Sequence, residues 1–367
     1  LFMNWASGGA KEYNAELCKR GADALGQALA LTESTNRYEL ADFSEYNDIF
    51  LLHNSSGKLN GVKESIFMEN IKDYSGRWRW NMVNDFRPQS IEYSGIKCYP
   101  TANYVNYYGM QNGYPINDMT KADAESGYDP THPWKNRDPR FYKTIMFDGV
   151  KWKSTGGAGG TAELFTGGRE SEEANEKKGC FTAYMNSKLC PQLMNTVDGY
   201  KENNIMILSL MRLADVYLMY AEATAVGYNG PKGKAATYSL TAEEALNKIR
   251  ERAGVAPVLD KFLGSTADFL SELRRERAVE LSFEGFRFID LRRWMLLTQY
   301  PYTLKTKIEF DRADPSDYNY DEPEENAIKN LREVVLLERK YTDRHYWYPL
   351  PKKDVSMYEG FYQNPGW

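Results

Sequence analysis

The chain has 367 residues, 46 Lys and Arg against 51 Asp and Glu, and a net charge of −5 at pH 7. With 42% hydrophobic and 26% charged residues it can bury a substantial core, as one large domain or two ordinary ones. No run approaches the roughly 18 apolar residues that a membrane-spanning helix needs, and the basic residues lie scattered among acidic ones, without the concentrated basic footprint of a nucleic-acid binder.

The opening LFMNWASGG lacks an initiator Met and the charged and apolar regions of a signal peptide. Residues 15–31, AELCKRGADALGQALAL, return apolar positions every three or four residues and predict an amphipathic helix stopped by Asn36 and Arg37. From about 41 to 200 short aromatic runs alternate with Gly, Pro, Asn and Asp, the composition of a loop-rich region with a few short strands. Two strands are expected there: SIFMENI at 65–71, and TIMF-DG-VKW at 144–152, where Asp148-Gly149 would make the turn of a hairpin. Glycine-rich STGGAGGTAELFTGG, 154–168, lacks the Gly-Lys-Ser/Thr ending of a phosphate loop and predicts a mobile surface loop.

Helical patterning resumes at 205. One helix is expected over 205–227, IMILSLMRLADVYLMYAEATAVG, and a second over 241–254, opening on a capping box of Thr241 with Glu244 and ending at Gly254. A third is expected from about Thr266 to Phe283 and a fourth over about 286–298. Four helices in pairs imply stacked helical hairpins, and Ala221, Ala223, Gly227 and Ala245 are small enough to let paired helices approach, as in tetratricopeptide repeats.

Four cysteines (Cys18, Cys98, Cys180, Cys190) form no CxxC pair; they predict free or buried thiols, with Cys180–Cys190 the one short loop that a disulfide could close. The three histidines, His53, His132 and His345, stand far apart without a metal-ligand or nucleophile motif, so no metal or cofactor is expected. DRADPSDYNYDEPEE, 311–325, offers many oxygens but lacks the EF-hand's spacing and glycine; an acidic loop is the preferred reading. The two carboxylates of a glycosidase have no sequence signature, and nothing favours them here.

In RRERAVELSFEGFRFIDLRRW, 274–294, Glu276, Glu280 and Glu284 recur every four residues along one helical face. They admit a metal or acid/base reading and a structural one, in which ion pairs are partly buried at a helix junction and Arg275, Arg277 and Arg287 are near enough to neutralise them; the structural reading is preferred.

Together with RLADVYLMYAEA at 212–223, ALNKIRERAGV at 245–255 and the closing YWYPLPKKDV…YQNPGW at 346–367, this stretch resembles the C-terminal half of the SusD/RagB family, nutrient-binding outer-membrane lipoproteins of Bacteroidetes. YELADFSEYNDIF at 38–50, ESIFMENI at 64–71, YPTANYVNYYGMQNGYPI at 99–116 and NRDPRFYKTIMFDG at 136–149 are similar to the family's earlier landmarks, in family order. The resemblance implies a mainly α fold: a tetratricopeptide-like helical-hairpin superhelix with a large loop-rich region and a few short β-strands. The expected division of this single unit is helical over 1–40, loop-rich over 41–204, a hairpin stack over 205–300 and an irregular segment over 301–367. Family members are longer at the N-terminus, so a lipid anchor and the first helices of the array are expected to be missing here; Cys18, inside a helix, lacks the context of a lipidation site.

The function implied is capture of an oligosaccharide, or in some members a peptide, and delivery to a SusC-like TonB-dependent transporter at the outer membrane, without catalysis; a glycoside hydrolase is the rival. A sugar site needs flat aromatic platforms with polar groups around them. DYSGRWRWNMVNDFRPQ, 73–89, supplies Tyr74, Trp78 and Trp80 with Arg77, Asn81 and Asn84 interleaved; it reads either as that platform or as a small satellite core. Tyr104, Tyr107 and Tyr108 are spaced for one face of a short helix and read first as core, and Asn136, Arg137, Asp138 and Arg140 read first as a turn held by side-chain hydrogen bonds.

Overall fold

The computed structural model describes residues 1–52, 61–68, 99–154, 158–174, 179–189, 198 and 205–367. The mainly α architecture expected from the sequence, stacked helical hairpins beside a loop-rich region with short strands, is the one observed. After a short α1 (Phe2–Ala6), α2 (Ala15–Thr35) begins where the Asn14 side chain accepts from the Leu17 N–H, and ends at Asn36, which takes the left-handed conformation at φ 49°. Short α3 (Ala102–Val105) and α4 (Pro139–Thr144) lie in the loop-rich region, followed by α5 (Leu213–Gly227), α6 (Ala242–Ala253), α7 (Thr266–Glu280), α8 (Phe286–Arg293) and α9 (Lys352–Val355).

The stack forms because α5 is apolar nearly all round and is therefore enclosed rather than amphipathic. Ala22 on α2 and Ala221 and Ala225 on α5 are fully buried, and a Cβ on Gly227 would lie 2.5 Å from the Lys19 nitrogen; small residues thus set the helix approach. Helix α6 carries the expected capping box, Thr241 with Glu244, and stops at Gly254 with φ 72°. Leu246, Ile249, Phe269 and Leu273 close this core.

A second core lies under the loop-rich region, with Tyr46, Tyr108, Trp134, Phe141, Phe147 and Tyr184 among its rings. Its strands are short: β1 (Leu51–Leu52), β2 (Ser65–Met68), β3 (Ile145–Met146), β4 (Met185–Asn186), β5 (Ile205–Met206) and β6 (Ser209–Arg212), paired β1 with β5, β2 with β6 and β3 with β4, all antiparallel. Beyond the stack, β7 (Leu304–Arg312) and β8 (Ile328–Glu338) form a longer antiparallel pair.

Several expectations are corrected. The helix expected over 205–227 begins only at Leu213, because the apolar run before it supplies partners for β1 and β2; a short continuous apolar run does not distinguish strand from helix. The hairpin expected at 144–152 does not form: β3 pairs with β4, and Asp148 is fully buried, accepting from the Leu164 N–H at 2.8 Å and from Arg312 Nε at 2.7 Å. The third helix ends at Glu280 rather than Phe283, which has φ +62°, and the fourth at Arg293. Within the glycine-rich segment Ala162 and Leu164 are buried, so its described part is anchored to the core. The segment expected to be irregular after 301 contains β7, whose alternating burial is the two-residue period of a strand with one buried face. Cys180 is a free, buried thiol, so the suggested disulfide is not made.

Candidate functional site

The six residues expected to bind ligand, Tyr74, Arg77, Trp78, Trp80, Asn81 and Asn84, lie outside the described residues. The site is therefore built from the signature stretch 274–294 and what surrounds it.

Helix α7 ends at Glu280 and, like any helix, leaves its last carbonyls without intrahelical partners. The Glu280 carbonyl accepts from Lys188 Nζ at 3.0 Å, Arg212 Nη2 at 2.7 Å and the Tyr46 hydroxyl at 3.2 Å. Cations are favoured at this end by the helix dipole. The Glu280 carboxylate, fully buried, accepts from Arg140 (3.0 Å), Arg212 (2.7 Å) and Arg252. Glu276 holds Arg140 and Arg250, and Glu284 holds Lys188 (2.6 Å) and Arg212 (2.7 Å). Glu64, preceding β2, receives Arg212 at 2.6 Å, Arg252 at 3.0 Å and the Ala41 N–H at 2.9 Å. Asp138 braces Arg140 at 2.7 Å, and Glu272 braces Arg250 and Arg275.

The preferred structural reading of the three glutamates is thus the observed one, but their partners differ from those expected. Arg277 turns to Asp215 (2.7 Å) and Asp290 (3.0 Å), Arg287 lies over Tyr107, and Arg275 pairs with Glu272. The neutralising cations come instead from residues 140 to 252, because neighbours along a helix point to different faces. Burial alone would raise the Glu280 carboxyl, yet Arg252, Arg212, Arg140 and Lys188 hold it well below the usual carboxylate range. Glu222 is also buried; Arg293 and the Trp294 N–H outweigh that burial and bring it to about 2.

The other flank of α7 is different. Arg274 and Arg275, with Lys261, Arg287, Tyr107 and Tyr302, line a cleft of about 360 Å³ between the stack and the Tyr107–Asn117 segment. The Arg287 guanidinium sits 4.7 Å from the Tyr107 ring centre and 5.6 Å from that of Tyr302, and Lys261 Nζ sits 4.4 Å over Tyr114. Arg275 donates to the Tyr107 carbonyl at 2.9 Å and the Gly113 carbonyl at 3.2 Å. This approach needs Gly109, where a Cβ would lie 2.9 Å from Arg275 Nη1 and 2.3 Å from the Tyr114 oxygen. The only carboxylate lining the cleft among the described residues is Glu272. Burial opposes its ionisation, but Arg275 and Arg250 bring it to about 2. Among the described residues neither Arg274 nor Arg287 has a carboxylate within ion-pair distance, but the Arg274 guanidinium is engaged by the Trp294 ring, 5.4 Å from its centre, and by Tyr13, which leaves Arg287 as the arginine held in the cleft by rings alone.

The tyrosines read first as core divide. Tyr108 is fully buried and donates to Ser282 Oγ at 2.7 Å, and Tyr104 donates to the Ala278 carbonyl at 2.6 Å, whereas Tyr107 is half-buried and forms a wall of the cleft. Arg137, Asp138 and Arg140 hold a turn and a helix start as expected: Asp138 caps α4, and Arg137 donates to the carbonyls of Val105, Tyr108 and Pro133. Tyr302, Lys261 and Arg287 had no signal in the sequence that would join them. A wider, open hollow of about 860 Å³ lies along α2 at Glu33, Lys234 and Tyr238, but there Tyr238 and Tyr217 donate to Glu33 and Tyr228 to Asp23, so its hydroxyls already have protein partners. Among the described residues no group of three His, Cys, Asp or Glu could hold a metal ion, and no helix is long and apolar enough to cross a membrane.

The family model described as the SusD family matches residues 63–367. No curated protein matches the chain in a sequence comparison. A SusD-like protein from Bacteroides fragilis NCTC 9343 superposes with a TM-score of 0.69 at 23% identity, over 95% of this chain and 62% of that one. A SusD-like carbohydrate binding protein from the same strain gives 0.63 at 20% identity, over 93% and 60%. Surface glycan-binding protein A from Bacteroides fluxus gives 0.53 at 17%, over 96% and 60%. At these identities the likeness is one of fold, and the chain spans less than two thirds of the length of each of these solved relatives.

Proposed function

The chain belongs to the SusD family, and from that premise we propose that it binds a glycan at the cell surface and passes it, chemically intact, to a SusC-like TonB-dependent transporter as an outer-membrane lipoprotein. The observation that supports this most is the cleft beside α7, where tyrosine rings offer flat apolar faces and guanidinium groups offer donors at their edges. Sugars present an apolar C–H face with a rim of hydroxyls, and such a wall suits both. In the same reading Trp78 and Trp80, with Tyr74, Arg77, Asn81 and Asn84, form a further platform.

Hydrolysis fits the cleft poorly. A glycosidase needs a carboxylic acid that stays protonated beside a second carboxylate, whereas Glu272 titrates at about 2 and is held by two arginines. A peptide is the alternative cargo, since guanidinium groups also receive carboxylates.

The test is calorimetric titration of the protein with an oligosaccharide panel, alongside an assay for new reducing ends and co-purification with a transporter barrel. Expected are dissociation constants of roughly micromolar to millimolar, no new reducing ends, and loss of affinity in Trp78→Ala or Trp80→Ala without loss of folding. Absence of binding across the panel, or turnover of any member, would overturn the proposal.

A further inference from the structure

The protein as a whole is acidic, at −5, yet the cleft is lined by four cationic side chains, Lys261, Arg274, Arg275 and Arg287, against the single carboxylate of Glu272. That carboxylate is already consumed by Arg250 and Arg275. Among the described residues the carboxylate that Lys261 reaches is that of exposed Glu125, at 3.7 Å. Close to Arg287, Lys305 is brought down to about 8, first by burial and then by the nearby Arg339 and Arg287. A folded protein pairs its buried charges, as α7 does on its other flank. Arg287, whose partners in this concave, tyrosine-walled space are rings and not a carboxylate, is placed for an anion that arrives with the ligand.

We infer that the cleft selects an acidic oligosaccharide, one carrying carboxylate or sulfate groups: Arg287 and Lys261 receive the anionic group while Tyr107 and Tyr302 take the sugar faces. This rests on the glycan-binding reading and specifies the chemical class of the cargo. Arg275, already committed to Glu272 and two backbone carbonyls, acts as a fixed wall rather than a ligand contact.

The experiment compares sugars that differ in charge alone. Oligogalacturonate and its methyl ester, and a sulfated glycosaminoglycan oligosaccharide and its desulfated form, are titrated into the protein at low salt and again at about 0.5 M NaCl, where the Debye length falls to a few ångströms. At least one charged form is expected to bind about tenfold or more tightly than its neutral partner, as one charge-assisted hydrogen bond allows. The preference should shrink in high salt and in Arg287→Gln and Lys261→Gln, and Arg287→Lys should restore part of it. Thermal melts of each variant separate loss of binding from loss of folding. Which pair responds distinguishes carboxylate from sulfate. The inference is overturned if the neutral forms bind as well as the charged ones, a result that leaves glycan binding itself standing, or if a polyglutamate peptide binds more tightly than every acidic sugar. If no sugar of either kind binds, the glycan-binding reading falls first.

Discussion

Helix α7 presents two differently finished surfaces. On one, Glu276 and Glu280 enter a lattice in which Arg140, Lys188, Arg212, Arg250 and Arg252 are each matched to carboxylates contributed from residue 64 to residue 284. On the other, Arg287 faces the cleft between two tyrosine rings without a carboxylate in reach among the described residues. Both surfaces are rich in arginine, and composition does not separate them. What separates them is whether the protein itself completes the charge pairing, and the proposed ligand site rests on that difference.

The strongest way to break the comparison is acid. Glu280, Glu272 and Glu222 all titrate lower in the folded chain than the ordinary 4.5, two of them at about 2. Their stabilisation is therefore complete above about pH 4.5 and is lost as pH falls towards about 2. Each of the two shifts to about 2 is worth on the order of 3 kcal/mol, not additively, so urea midpoints should be flat from pH 7 to 5 and fall steeply below. A midpoint unchanged at pH 3 would mean that the lattice contributes little.

Removing one member comes next. Arg212→Ala leaves Glu64, Glu280 and Glu284 each short of a cation in full burial, and should cost about 3–5 kcal/mol in equilibrium unfolding. A loss below about 1 kcal/mol would show that the lattice relaxes or admits water. The smallest effect is expected on the opposite flank, where Arg287→Gln should change stability by less than about 1 kcal/mol, because Arg287 has ring contacts to Tyr107 and Tyr302 and no carboxylate in reach among the described residues. A loss as large as that of Arg212→Ala would erase the distinction between the two surfaces.

Much of the scaffold was legible in the sequence. The capping box at Thr241, the stop at Gly254 and the small residues between α2 and α5 are local signals, and each predicts what is observed nearby. The failures have a common physical cause: they concern partners far away along the chain. The run 205–212 turned out to be strand because β1 and β2 needed partners, and Asp148 is buried because Arg312 reaches it from 164 residues away. The glutamates of α7 were correctly read as structural, but their cations could not be named from neighbours in sequence. The cleft was illegible for the same reason, since Tyr107 looks like core until Arg287 and Tyr302 are folded against it.

Arg275 stands at the border of the two surfaces, locked by Glu272 on one side and by the carbonyls of Tyr107 and Gly113 on the other. One wall of the cleft is thereby immobilised when the chain folds, and its conformational entropy is spent once rather than at each encounter with cargo. A guest meeting so preorganised a surface loses less free energy to ordering the protein, so fewer contacts suffice to hold it.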